Sequence, residues 1–113
     1  MGRLLQVRVT AWTFSEDEVE KAYPSLWKLV WQDPKVIQKK GVLELTGAVF
    51  DAVRVGLIDD DKVEALKDGA EKAEELRLEI EKLLGEWKPG EADKLIYQLE
   101  DLLDKLEEIA DKF

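Results

Sequence analysis

The hydrophobic positions in the last part of the chain repeat with the period of an amphipathic helix. They step by four and three residues in alternation: Ala92, Ile96, Leu99, Leu103, Leu106, Ala110 and Phe113. Leu95, Leu102 and Ile109 widen this stripe to a face that suits a helical bundle better than an isolated coiled coil. The pattern predicts a helix over about 91–113.

The preceding segment shows the same period with one interruption. Its apolar positions are Val63, Leu66, Ala70, Ala73, Ile80, Leu84 and Trp87, and Arg77 stands at the missing step. The pattern predicts a helix over about 61–87, with Asp61 and Glu64 at the spacing of a capping box. Lys88, Pro89 and Gly90 leave only a short connection, so the two helices are expected to form an antiparallel hairpin.

Residues 15–31 are predicted to form a kinked helix. Ser15 and Glu18 have capping-box spacing, and apolar residues follow at helical steps. Pro24 interrupts the run, and a proline that deep in a helix costs about 3 kcal/mol unless the helix restarts. We therefore expect a break near Tyr23, with Pro24 as the first residue of a new turn.

Residues 42–57 contain valines and glycines that suit a strand, but their polar positions predict a helix. Lys40, Glu44, Gly47, Asp51 and Arg54 step by four, three, four and three residues. This spacing places them on one narrow stripe of a helix that is otherwise largely buried.

The first segment differs from the rest, because residues 4–13 alternate between apolar and polar side chains. Leu5, Val7, Val9 and Ala11 share one side, which predicts a strand with one buried face. A single strand leaves backbone N–H and C=O groups unpaired at both edges. Since residues 42–55 are predicted to be helical, the strand is expected to pair with a second copy of the chain or with another protein.

Together these patterns predict one mainly α domain over residues 1–113. Its architecture is a helical bundle with one short N-terminal β-strand and a C-terminal antiparallel helical hairpin.

Charge divides the chain into two unequal halves. Residues 1–58 carry 8 basic and 7 acidic side chains, whereas residues 59–113 carry 9 basic and 19 acidic ones. The net charge of −9 and the pI near 4.6 argue against a nucleic-acid ligand, because phosphate binding needs clustered Lys and Arg. The acidic side chains of Glu100, Asp101, Asp104, Glu107, Glu108 and Asp111 lie off the apolar stripe of the last helix, which predicts a solvated helix face.

The sequence contains no Cys and no His. It therefore lacks disulfides, thiolate nucleophiles, Ser-His-Asp triads and the usual zinc and haem ligands, and we expect no cofactor and no metal site. No stretch approaches 18 uncharged apolar residues, and residues 1–8 do not follow the pattern of a signal peptide. The expected location is the cytoplasm, without a membrane partner.

Only carboxylates and Mg²⁺ would support an enzymatic alternative. Glu74, Glu75 and Glu79, with Glu108 and Asp111 on the returning helix, resemble the acidic clusters of helical nucleotide pyrophosphohydrolases of the MazG type. The first cluster is spaced E-E-x-x-x-E where that family has E-E-x-x-E. The resemblance implies a Mg²⁺-dependent phosphohydrolase on an α-helical bundle.

Four residues are candidates for binding, and none is a candidate for catalysis. Trp12, Trp27 and Trp31 would either pack in the core or anchor a partner protein. Arg77 would either pair with a nearby Glu or hold an anionic ligand. The small residues Ala70 and Ala73 would either permit close helix packing or leave room for a small molecule.

These observations favour a non-enzymatic protein-interaction or homo-oligomeric structural protein, most simply a homodimer. The phosphohydrolase and a small-molecule carrier are the alternatives.

Overall fold

The computed structural model describes residues 10–31, 40–56 and 58–113, which form five α-helices. They are α1 (Glu16–Ala22), α2 (Pro24–Val30), α3 (Val42–Arg54), α4 (Asp60–Gly85) and α5 (Pro89–Ala110). The prediction that the chain is mainly helical is confirmed. The predicted strand over 4–13 lies mostly outside the described residues, and residues 10–13 have no regular secondary structure. The strand therefore stays a prediction.

The long helices α4 and α5 pack along one another, and α2 and α3 pack against this pair. α3 packs on α4, and α2 packs on both α3 and α5. Apolar side chains from all five helices meet in one core, where Leu26, Leu45, Leu66, Ile80, Leu99 and Leu103 are completely buried. Within the described ranges, no helix is both long and apolar enough to cross a membrane.

The connection between α4 and α5 is tight because Trp87 adopts a left-handed backbone conformation, with φ of 62°. The N–H of Trp87 donates to the carbonyl of Leu84 at 3.1 Å, and the N–H of Lys88 donates to the carbonyl of Leu83 at 2.9 Å. This pair of bonds is a Schellman motif, whose left-handed position is usually glycine. A side chain there costs roughly 1 kcal/mol, so the motif is formed at some expense of stability.

The helix break near Pro24 is confirmed, since α1 ends at Ala22 and Pro24 is the first residue of α2. Tyr23 is the N-cap of α2 and has no side-chain acceptor for the free N–H groups of the first turn. Instead, the carboxylate of Glu107 on α5 accepts hydrogen bonds from Ser25 N at 2.9 Å and from Leu26 N at 3.0 Å. Helix α2 is thus capped by a residue from the far end of the chain.

The prediction of capping boxes at the starts of α1 and α4 is wrong. Ser15 is the N-cap of α1, but its side chain makes no capping hydrogen bond. Helix α4 begins one residue earlier than predicted, so that Asp59 is the N-cap and Asp61 lies inside the first turn.

Tyr23 lies between α1 and α2, and only 5% of its surface is exposed. Its hydroxyl donates to the backbone carbonyl of Glu100 at 3.3 Å. Burial raises the pKa of the Tyr23 phenol well above its ordinary value near 10, and the carboxylates of Asp104, Glu100 and Asp101 raise that pKa further. The folded state therefore holds this phenol in its neutral form.

We expect the stability that Tyr23 confers to be present below about pH 10 and to disappear at more alkaline pH. The reason is that the unfolded chain releases the phenolic proton near pH 10, whereas the folded chain retains it, and each further pH unit then costs about 1.4 kcal/mol. Urea unfolding of the wild type and of Tyr23→Phe between pH 8 and pH 11.5 measures this. The variant should be about 1 kcal/mol less stable at pH 8, because it lacks the hydrogen bond. Its deficit should shrink and reverse as pH rises, and a constant deficit would contradict the assignment.

Candidate binding groove

A groove of about 710 Å³ opens where three parts of the chain meet: residues 10–16, the first turn of α3 and the last turn of α4. We call it the 10–16 groove. Trp12, Leu43 and Leu84 contribute apolar walls. Glu16, Glu44 and Glu81 bring a carboxylate from each of the three parts. The groove is large enough for a small molecule or for a few residues of a peptide.

Two hydrogen bonds attach residues 10–16 to the start of α3. Val42 N donates to Thr13 Oγ1 at 2.8 Å, and Lys40 N donates to Glu16 Oε1 at 2.6 Å. The N-cap of α3 is Gly41, which has no side chain to accept such bonds. Thr13 and Glu16 therefore satisfy donors that the local sequence leaves free, and they fix the wall of the groove in place.

Gly41 is required by the close approach of Thr13. A Cβ at this position would lie 2.9 Å from Thr13 Cβ and 2.9 Å from Glu44 Oε1, and it would also overlap Thr13 Oγ1. The Thr13 side chain is branched at Cβ and has little freedom to move. The absence of a side chain at position 41 thus lets residues 10–16 lie directly against α3.

Two aromatic side chains of this segment are exposed. Trp12 is 80% exposed and Phe14 is 91% exposed. The sequence pattern identified Trp12 as a candidate but missed Phe14. A signal was present, because Trp12 and Phe14 continue the positions of Gln6, Arg8 and Thr10, which form the polar side of the alternating segment. Exposed aromatic side chains are typical of protein interfaces, so their place on the polar side was a usable signal.

The remaining tryptophans lie elsewhere. Trp27 and Trp31 stand edge to face, with ring centroids 4.8 Å apart, and both pack half-buried against the core. The Nζ of Lys40 lies 5.4 Å from the centroid of the Trp27 ring. Trp87 is 57% exposed at the connection between α4 and α5. Among the predicted binding residues, only Trp12 lines the groove.

Arg77 lies between two carboxylates of its own helix. Its Nε donates to both carboxylate oxygens of Glu74 at 3.0 Å, a second guanidinium nitrogen also contacts Glu74, and Nη1 donates to Glu81 Oε1 at 3.0 Å. Hydrogen bonding to Glu74 raises the pKa of Arg77 above its ordinary value. Arg77 neutralises the buried Glu74 and orients Glu81, which lines the groove.

The carboxylates of the enzymatic alternative are spread over different environments. Glu74 is buried against Arg77, and Asp111 accepts a hydrogen bond from Ser25 Oγ at 3.3 Å. Glu75, Glu79 and Glu108 are exposed. In residues 10–31, 40–56 and 58–113, no group of three or more acidic side chains is placed to hold a metal ion.

The small residues of α4 lie where α5 packs closely. Ala70 and Ala73 are each 1% exposed. A Cβ on the adjacent Gly69 would lie 2.5 Å from Leu106 Cδ2 and 3.3 Å from Leu106 Cγ. The Leu106 side chain occupies the space beside Gly69, so the thin part of α4 serves close helix packing there.

Comparison with protein-family models, with curated proteins and with solved structures finds no match to this chain, and so gives no support to the resemblance to the MazG-type enzymes.

Proposed function

We propose that this chain is a non-enzymatic, cytoplasmic protein-interaction domain, built on a helical bundle, that binds a partner through the 10–16 groove. The observation that carries the proposal is the exposure of Trp12 and Phe14 beside a concave surface. Exposed tryptophans are enriched among the residues that supply most of the binding energy of protein interfaces. The lack of Cys and His supports a binding role over catalysis and suits a reducing compartment.

The anchoring of the segment supports the same proposal. Thr13 and Glu16 lie on either side of Phe14, and both are bonded to the start of α3, through the N–H groups of Val42 and Lys40. A surface that is already in its binding conformation loses less conformational entropy when a partner binds. The aromatic side chains are therefore presented by a fixed backbone.

Two kinds of partner fit this surface, namely a second copy of the chain and a different protein. A homodimer would also pair the predicted strand over 4–13 with its symmetry-related copy. Sedimentation velocity from micromolar to millimolar concentration distinguishes the two, since only self-association depends on the concentration of this chain alone.

The binding role is tested by selecting random 12-residue peptides on the immobilised domain. Selected peptides should lose at least tenfold in affinity when Trp12 is replaced by Ala, because a central aromatic anchor is typically worth 2 kcal/mol or more. Tyr97→Ala is the matched control, since Tyr97 is a 65% exposed aromatic residue of α5 outside the groove lining. If no selected peptide depends on Trp12 and the chain sediments as a monomer throughout, the proposal is wrong.

A further inference from the structure

Three carboxylates and an exposed indole surround the 10–16 groove. Glu44 is exposed, and the Glu81 side chain is 49% exposed even though it is bonded to Arg77. Glu16 keeps one oxygen beyond the one that accepts from Lys40 N. Among the described residues that line the groove, none is Lys or Arg. The described lining of the groove therefore carries negative charge, in a chain whose net charge is −9.

We propose that the partner of the 10–16 groove is an arginine-containing peptide segment. This inference rests on the proposed function and specifies its partner. A guanidinium group stacks on an aromatic face and also forms two parallel hydrogen bonds with a carboxylate. An ammonium group cannot form this bidentate pair. Trp12 and Glu44 line the same groove and offer both interactions.

Charge complementarity also decides between an arginine-rich partner and a second copy of this chain. Two copies that met through this groove would bring together two sets of the carboxylates of Glu16, Glu44 and Glu81. Like charges that face each other across an interface disfavour association, whereas opposite charges accelerate encounter and select the partner. The arginine-containing segment is therefore the occupant that this surface favours.

The test uses three eight-residue peptides with blocked ends and identical leucine positions. Two variable positions carry arginine in the first peptide, citrulline in the second and glutamate in the third. Citrulline keeps the shape of arginine without its charge. Calorimetry on the full chain should show the arginine peptide binding at least tenfold more tightly than the citrulline peptide, and the glutamate peptide should bind most weakly. Raising NaCl from 50 to 300 mM should weaken only the arginine peptide.

Variants separate the groove from the general acidity of the chain. Glu44→Gln and Trp12→Ala should each weaken the arginine peptide by about fivefold or more. Glu64→Gln removes an exposed carboxylate 20 residues before Leu84, about 30 Å along α4. It should change the affinity less than twofold, as should Tyr97→Ala. If Glu64→Gln weakens binding as much as Glu44→Gln, the attraction is unspecific and the inference is wrong.

The remaining outcomes distinguish this inference from the proposed function. If the citrulline and arginine peptides bind equally while both depend on Trp12, the charge preference is wrong and the groove is still a protein-binding surface. If the arginine peptide binds without any dependence on Trp12, the inference is also overturned. The proposed function itself fails only if peptides of every charge bind without dependence on Trp12 in the random selection and the chain also sediments as a monomer throughout.

Discussion

Glu107→Ala should lower the free energy of unfolding by about 2 kcal/mol, although Glu107 is a half-buried residue of α5 and not part of the core. Its carboxylate accepts hydrogen bonds from the N–H groups of Ser25 and Leu26, and Ser25 N also approaches the second oxygen at 3.1 Å. Loss of a helix N-cap costs about 1–2 kcal/mol, and a charged acceptor forms the stronger bonds. Urea unfolding followed by circular dichroism measures the change.

Two further variants show whether the cap is the cause. Glu107→Gln retains an oxygen acceptor without the charge and should lose about half as much stability. Glu108→Ala removes the neighbouring exposed carboxylate and should have little effect, or should stabilise slightly because Asp104 loses a like-charged neighbour at i,i+4. Equal losses for Glu107→Ala and Glu108→Ala would show that α2 does not depend on this carboxylate.

Two glycine-to-alanine changes in the same helix should shift stability in opposite directions. At Gly69 the new methyl group would lie 2.5 Å from Leu106 Cδ2, and Leu106 is 1% exposed. Overpacking of this kind costs about 1–3 kcal/mol, which exceeds the roughly 1 kcal/mol that alanine gains in helix propensity. We expect Gly69→Ala to be destabilising by about 1 kcal/mol net.

Gly85→Ala is the matched control, since no atom lies within 4 Å of the added methyl group. At position 85 only the higher helix propensity of alanine acts, so this variant should raise the free energy of unfolding by up to about 1 kcal/mol. Thermal and urea unfolding of both variants should therefore differ by about 2 kcal/mol. A stabilising Gly69→Ala would mean that α4 and α5 separate easily and that the thin part of α4 tolerates more volume than the packing suggests.

Periodicity was sufficient to predict the helices because their core positions repeat locally. The alternating four- and three-residue spacing of the last helix picks out Leu99, Leu103 and Leu106, and all three are buried. The restart at Pro24 was equally predictable, since proline acts through its own backbone. In this chain, each helix is encoded by residues that lie close together in the sequence.

The helix ends were harder to predict, because their partners are distant in sequence. Tyr23 and Gly41 offer no capping side chain, and the acceptors come from Glu107 and Thr13. Ser15, which has the local signal for a cap, makes no such bond. No spacing rule along the chain connects Leu26 to Glu107, 81 residues away.

The same limit applies to the groove. Trp12 was recognised by its residue type, whereas Glu44 and Glu81, which line the same groove, come from the helices α3 and α4. Both look like ordinary solvated acids in the sequence. Their common position follows only from the packing of α3 on α4 and from the close approach of residues 10–16 to Gly41.

The long-range cap of α2 also sets an order on folding during synthesis. The acceptors for Leu26 N and for the Tyr23 hydroxyl lie 81 and 77 residues later in the chain, on α5. While the ribosome is still translating α3 and α4, α2 lacks its cap and the surface of α5 on which it packs. A seven-residue helix is not stable alone. Helices α1 and α2 therefore complete their packing only after α5 leaves the exit tunnel, and until then their apolar side chains are open to chaperones.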